Sequence, residues 1–237
     1  MNIRLLFLLI LIISCNENYY KEYAVVSATK EATEAGIKIL EQGGNAFDAM
    51  IAVDLALAVT YPNAGNLGGG GFMVYIDSSG QSGSLDFREK APKKSYSSMY
   101  LDENGEVITG LSYEGALSIG VPGTVAGLFE VYKKFGSISL DKIFEPAIYL
   151  AKNGYLLSEK QSKLYNDYKP KILELNDTSL FSKNFKEGDV FINDFLHNTL
   201  NKILKHGPDI FYIGEISNKI VNYVESNGGI ISNDDMA

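Results

Sequence analysis

The sequence predicts an α+β fold with a large helical share, helix-rich in its second half. Three observations carry that expectation. Apolar residues recur at helical spacing through most of the chain, first at Ala32, Ala35, Gly36, Ile39 and Leu40. Two stretches, FMVYID and SLDFRE, alternate with a period of two around a serine- and glycine-containing turn. A hydrophobic share of 46% over 237 residues suffices to bury a sizeable core, in one large domain or two small ones.

Taken in order, residues 23–28 (YAVVSA) read as a short strand, and Thr29 is placed to N-cap the helix that follows. Gly43 and Gly44 stop that helix. Asn45 caps a second one, and Asp48 three residues on completes a capping box. Across residues 46–59 only Asp48 and Asp54 are charged, so this helix is expected to be buried on most sides. Tyr61-Pro62 ends it. The run NAGNLGGGG then leads into the hairpin, whose turn falls at residues 78–83. Val121, Pro122 and Gly123 open a further helix, with Thr124 as its cap and Val125, Leu128, Phe129 and Tyr132 on one face. Helices are predicted at roughly residues 140–152, 159–168, 194–205 and 216–226, with Gly or Pro at the joints. Ser232 and the acidic residues after it announce one more helix start.

The N-terminus has one basic residue, Arg4, followed by nine apolar residues at positions 5–13. Nine is too short for a bilayer, which takes about 20, and fits the core of a secretion signal. Cys15 is the only cysteine, so an intrachain disulfide is excluded. Its place after Ile12, Ile13 and Ser14 resembles a bacterial lipobox. The expectation is therefore a signal peptide at 1–14, lipidation at Cys15, a polar tether at 15–22 and a folded domain at 23–237. Such a protein is secreted across the inner membrane and held in the periplasm or at the cell surface by its lipid anchor. A net charge of -8 without any Lys/Arg run argues against nucleic acid as a partner.

Few residues point to chemistry on their own. Gly68, Gly69, Gly70 and Gly71 follow a helix and open a strand, the reverse of a phosphate-binding loop, so their reading is steric: backbone turns and close packing. His197 and His206 lack cysteine or clustered acidic partners, so no metal site is expected. No G-x-S-x-G is present, and no nucleophile or base is identifiable from the residues. In LDFREKAP, strand alternation puts Leu85 and Phe87 on one face and Asp86 and Arg88 on the other. A solvated ion pair of Arg88 with Asp86 or Glu89 is the alternative to a binding role.

The ordered segments GIKILEQGGNAFDAMIAVDLALAVTYPNAGNLGGGGFMVY, LDFREKAP and SIGVPGTVAGL, followed by AIYLAKNGY, GPDIFYIGEI and NGGIISNDDMA, resemble the large chain of the γ-glutamyltransferase (γ-glutamyltranspeptidase) family. The resemblance implies part of a four-layer αββα sandwich of the N-terminal-nucleophile hydrolase type. It implies a precursor that cuts itself into a large and a small chain, the small chain's N-terminal threonine being the nucleophile. The reaction implied is γ-glutamyl transfer from glutathione or related amides, through an acyl-enzyme, to water, amino acids or peptides, with no cofactor. Arg88 matches the arginine of the family's R-E-x-A-P motif, which holds the substrate α-carboxylate; a guanidinium meets a carboxylate through two parallel bonds. Asp86 and Glu89 are then expected to orient it. No segment here matches the small chain, so the sequence reads as an incomplete large chain, inactive alone, without its catalytic threonine. A noncatalytic lipid-anchored binding protein that keeps the carboxylate pocket is the alternative.

Overall fold

The computed structural model describes residues 23–176 and 179–237. Cys15, the expected signal peptide and the tether lie outside the described residues. The fold is helix-rich with few strands. Helices α1 (Lys30–Glu41) and α2 (Ala46–Thr60) form a packed pair joined by the Gly43-Gly44 turn, and strands β1 (Phe72–Ile76) and β2 (Ser82–Asp86) follow as a hairpin. A long irregular segment leads to α3 (Thr124–Phe135) and α4 (Leu140–Asn153). A two-residue strand β3 (Tyr155–Leu156), α5 (Glu159–Leu175), strand β4 (Val190–Phe191), α6 (Asp194–His206), α7 (Asp209–Tyr212), α8 (Glu215–Ser226) and α9 (Asn233–Met236) complete the order. Both ladders are antiparallel pairs, β1 with β2 and β3 with β4.

Helix α2 is the centre of the core, packed by α1, α3 and α4. Its start is fixed by sequence: the Asn45 side chain accepts from the Phe47 and Asp48 amides, and Asp48 accepts in return from the Asn45 amide, which satisfies N–H groups left over at a helix start. Asp48 is fully buried and has a second task. It accepts from the backbone and hydroxyl of Ser137 while Asn45 donates to the Phe135 carbonyl, so the α2 start is tied to the end of α3. Ile51, Ala52, Leu55, Ala56 and Val59 are buried, and burial of each large apolar side chain contributes about 1.5–3 kcal/mol.

The hairpin register pairs Phe72 with Asp86, Met73 with Leu85 and Val74 with Ser84. Met73 and Leu85 face the core, where Tyr75 joins Phe47 and Phe135 in an aromatic trio with ring centroids 4.1–5.4 Å apart. The opposite face carries Phe72, Val74 and Ile76, exposed at 65%, 84% and 74%. Neither ladder makes a sandwich layer by itself among the described residues.

Three local expectations need correction. Residues 23–28 run extended with alternating burial but pair with no strand among the described residues, so they form no ladder. Thr124 is the first helical residue of α3, not its cap; Gly123 takes the cap position, where a Cβ would overlap the Phe87 carbonyl oxygen. Helix α5 does not stop near Tyr168 but runs through Pro170 to Leu175, since an interior proline forfeits one backbone bond without ending the helix.

Candidate functional site

Arg88 leaves β2 where the strand ends. The Asp86 carboxylate accepts the Arg88 backbone N–H at 3.0 Å, a short side-chain turn that bends the chain out of the ladder. Phe87 is still paired on the β1 side, its amide donating to Gly71 at 2.9 Å and its carbonyl accepting from Gly71 at 3.3 Å. Three residues later the other edge is taken, with Lys90 and Val121 exchanging both backbone bonds at 3.1 and 2.8 Å. Arg88 therefore sits between two clamps.

The clamps close because glycine leaves room. A Cβ on Gly70 would lie 2.6 Å from the Phe87 carbonyl oxygen and 2.7 Å from the Glu89 nitrogen, closer than any real Cβ approaches. Gly123 presses on the same carbonyl, where a Cβ would come within 1.9 Å of the oxygen. Gly69 joins the two walls, its carbonyl accepting from Gly123 at 2.8 Å and Thr124 at 3.0 Å. The glycine run is thus a packing surface for the backbone of residues 87–89.

The guanidinium itself is exposed. It lies over the Phe72 ring at 5.5 Å, and no ion pair joins it to any described residue. Asp86 reaches the Arg88 backbone, not the guanidinium, and no bond joins Glu89 to Arg88; Glu89 instead packs its Cβ against Gly120. An unpaired guanidinium keeps its planar donor fork available to a carboxylate. It opens on a cavity of about 1100 Å³ walled by Arg88, Glu89, Pro122, Glu130, Tyr212 and Asp235 among others. A separate cavity of about 510 Å³ lies between the starts of α1 and α5 and does not include Arg88.

Two contacts that the sequence did not single out close the far wall. The Tyr212 hydroxyl donates to the Pro122 carbonyl at 3.1 Å and accepts from the Ala126 amide at 3.0 Å. Burial pushes the Tyr212 phenol up, against the pull of the Ala126 amide, so it keeps the proton it donates. Asp235 accepts the Lys93 amide at 2.7 Å and caps Ser232. Burial pushes Asp235 up, but the Ser232 hydroxyl and the Lys93 and Ser232 amides outweigh it and hold the carboxyl below its ordinary value. GPDIFYIGEI and NGGIISNDDMA contain both residues, yet only the folded chain shows what they reach.

His197 lies on α6, its ring near the Ile148 carbonyl at 3.3 Å and away from Arg88's cavity. Among the described residues no group of three or more His, Cys, Asp or Glu side chains is arranged to hold a metal ion. No described helix is long and apolar enough to cross a membrane.

Comparison with known proteins adds a family match, a curated relative and two solved structures. The family model described as gamma-glutamyltranspeptidase matches residues 32–237. The glutathione hydrolase proenzyme of Escherichia coli K12 is 39% identical over 222 residues, covering 92% of this chain and 38% of the relative's length. Among solved structures, the gamma-glutamyltranspeptidase of Helicobacter pylori superposes with a TM-score of 0.88 at 41% identity, over 92% of this chain and 64% of that one. The same enzyme from Pseudomonas nitroreducens, complexed with L-DON, gives 0.86 at 39% identity over the same shares. This chain thus spans well under half the length of the curated relative.

Proposed function

The chain belongs to the gamma-glutamyltranspeptidase family, and from that premise we propose that residues 23–237 form the part of a large chain that grips a γ-glutamyl donor by its α-carboxylate at Arg88. The observation that carries this reading is the unpaired, exposed guanidinium on a glycine-clamped backbone at the mouth of a large cavity. A site whose backbone is held from two sides presents a charge at a fixed place, which is what orienting a small substrate requires.

The relatives' names supply the donor class: glutathione and related γ-glutamyl amides. In the whole protein a threonine hydroxyl, supplied by polypeptide outside these 237 residues, attacks the γ-carbonyl. The amine leaves with a proton, and water or an acceptor amine then takes the γ-glutamyl group from the ester, regenerating the threonine. Arg88 takes no part in bond making; it holds the carboxylate so that the γ-carbonyl stands in line for attack. Asp86 serves by fixing the Arg88 backbone, and Glu89 by flanking the same carboxylate site. The exposed row Phe72, Val74 and Ile76 is the inner boundary of a four-layer sandwich that the small chain completes. The protein is secreted across the inner membrane, lipidated at Cys15 and held in the periplasm or at the cell surface by that anchor.

Protein purified from its native cells tests this reading through the release of aniline from a γ-glutamyl anilide and the masses of its polypeptides. Turnover together with a second, threonine-initiated polypeptide supports it. Absence of both overturns it. The same mass spectra read the N-terminus: a diacylglyceryl Cys15 supports the anchor, and an unmodified or absent Cys15 removes it.

A further inference from the structure

The start of α3 carries a conflict. Its N-cap has to be glycine, because any Cβ at position 123 would overlap the Phe87 carbonyl, and glycine has no side chain with which to accept the first-turn N–H groups. Those groups are served from elsewhere. The Thr124 amide donates to Gly69, and the Ala126 amide donates to the Tyr212 hydroxyl, 86 positions away. A capping side chain ordinarily accepts from the second or third helical N–H, and Ala126 is the third residue of α3. The same hydroxyl spends its proton on the Pro122 carbonyl, one residue before the cap. One oxygen therefore spans the turn from both ends.

We infer that Tyr212 is a positioning residue for the Arg88 site: a helix cap borrowed from α7 that holds the Pro122-Gly123 turn against Phe87 and so sets where the guanidinium is presented. The inference rests on the reading of Arg88 as the carboxylate anchor. Its physical basis is the two-sided clamp. Gly71 holds Phe87 from the β1 side whatever happens at Tyr212, whereas the opposite clamp is the segment 121–123, whose path the Tyr212 hydroxyl fixes. Loss of the hydroxyl loosens one jaw and leaves the other closed. The backbone of Arg88 then keeps its fold but gains freedom, and a bidentate carboxylate contact is sensitive to that freedom because both of its bonds must align. The ring is not needed for the argument: it packs edge-on to Phe211 at 5.1 Å, and a phenylalanine keeps that contact.

The test is Tyr212→Phe in the full-length protein, with Arg88→Ala beside it. A γ-glutamyl ketone, with CH2 in place of the scissile N–H so that it is not turned over, and the same ketone lacking its α-carboxylate are titrated calorimetrically into each sample. Because the two ligands meet the same preparation, the ratio of their affinities does not depend on the folded fraction. Tyr212→Phe is expected to lower that ratio about 3- to 10-fold, the range of one or two lost hydrogen bonds acting through a neighbour, with the analogue's own affinity unchanged. A lowered melting temperature with an unchanged ratio, or equal weakening of both ligands, makes the hydroxyl a fold stabiliser only and overturns the inference. If Arg88→Ala itself leaves the ratio unchanged, the carboxylate reading fails first, and the role of Tyr212 falls with it; the two failures are told apart by which variant shows them.

Discussion

Helix α2 and strand β1 are both almost wholly apolar, and they end in opposite surroundings. Ile51, Ala52 and Ala56 of α2 are fully buried because α1, α3 and α4 close around the helix. Strand β1 is covered on one face only. Tyr75 enters an aromatic trio, while Phe72, Val74 and Ile76 on the alternate positions meet solvent. A helix of this chain finds all of its cover within the chain, but a strand apolar on both faces needs a second layer. The difference teaches where the site belongs: Arg88 and Asp86 share the uncovered face, with Arg88 lying over Phe72.

The largest effect that breaks this contrast is expected on the α2 side. Asp48→Ala removes a buried acceptor and leaves the Asn45 amide and the Ser137 amide and hydroxyl without their partner, at a cost of about 3 kcal/mol. Urea denaturation measures it. A loss under 1 kcal/mol, set against the ~1–3 kcal/mol of one unmade buried bond, would show that the tie between α2 and α3 is slack.

The next effect has the opposite sign. Asp54 lies on the same helix, and burial raises its pKa from the ordinary 3.8 to about 6. The folded state therefore binds its proton more tightly than the unfolded chain, so stability from this group is full below 3.8 and is lost as pH rises through about 6. Asp54→Asn is expected to match the parent protein at low pH and to exceed it by about 3 kcal/mol above the upper value. Melting curves across that window check it; parallel curves for the two proteins would place the Asp54 carboxylate in water.

A matched pair sharpens the comparison at smaller scale. Val59→Thr puts a hydroxyl into the closed core and is expected to cost about 2 kcal/mol, whereas Val74→Thr on the open face is expected to change stability by less than about 0.5 kcal/mol. Equal costs would mean that the β1 outer face is already covered. If Val74→Thr is silent in this chain alone yet costly in the full-length protein, the second layer has been found.

Much of the helical half was legible in the sequence, because its signals are local. Asn45 and Asp48 announce the α2 capping box within four residues, and Thr29 caps α1 through the Ala32 amide as the spacing predicts. The hairpin was legible for the same reason, its alternation needing only neighbours along the strand. What the sequence did not carry is set by contacts between distant segments. Thr124 has the right side chain for a cap, yet the Phe87 carbonyl decides that Gly123 must occupy the position. Residues 23–28 have strand composition but no partner strand among those described, and pairing is not a property of one segment. Asp86 looked like a partner for the Arg88 guanidinium and instead holds its backbone amide. Tyr212 gave no sign, since its value lies in two bonds to a turn far away in the chain.

The measurement that bears most directly on the account is the affinity of the full-length protein for a γ-glutamyl ketone, which it cannot turn over, with and without its α-carboxylate, in the parent protein and in Arg88→Ala. Removal of a hydrogen-bonded charge partner in a partly enclosed site costs about 2–5 kcal/mol. The parent protein is expected to prefer the carboxylate-bearing ligand by a margin of that order, and Arg88→Ala to lose the preference while still binding the analogue. Equal discrimination in the two proteins would contradict it and return Arg88 to the role of a solvated surface charge.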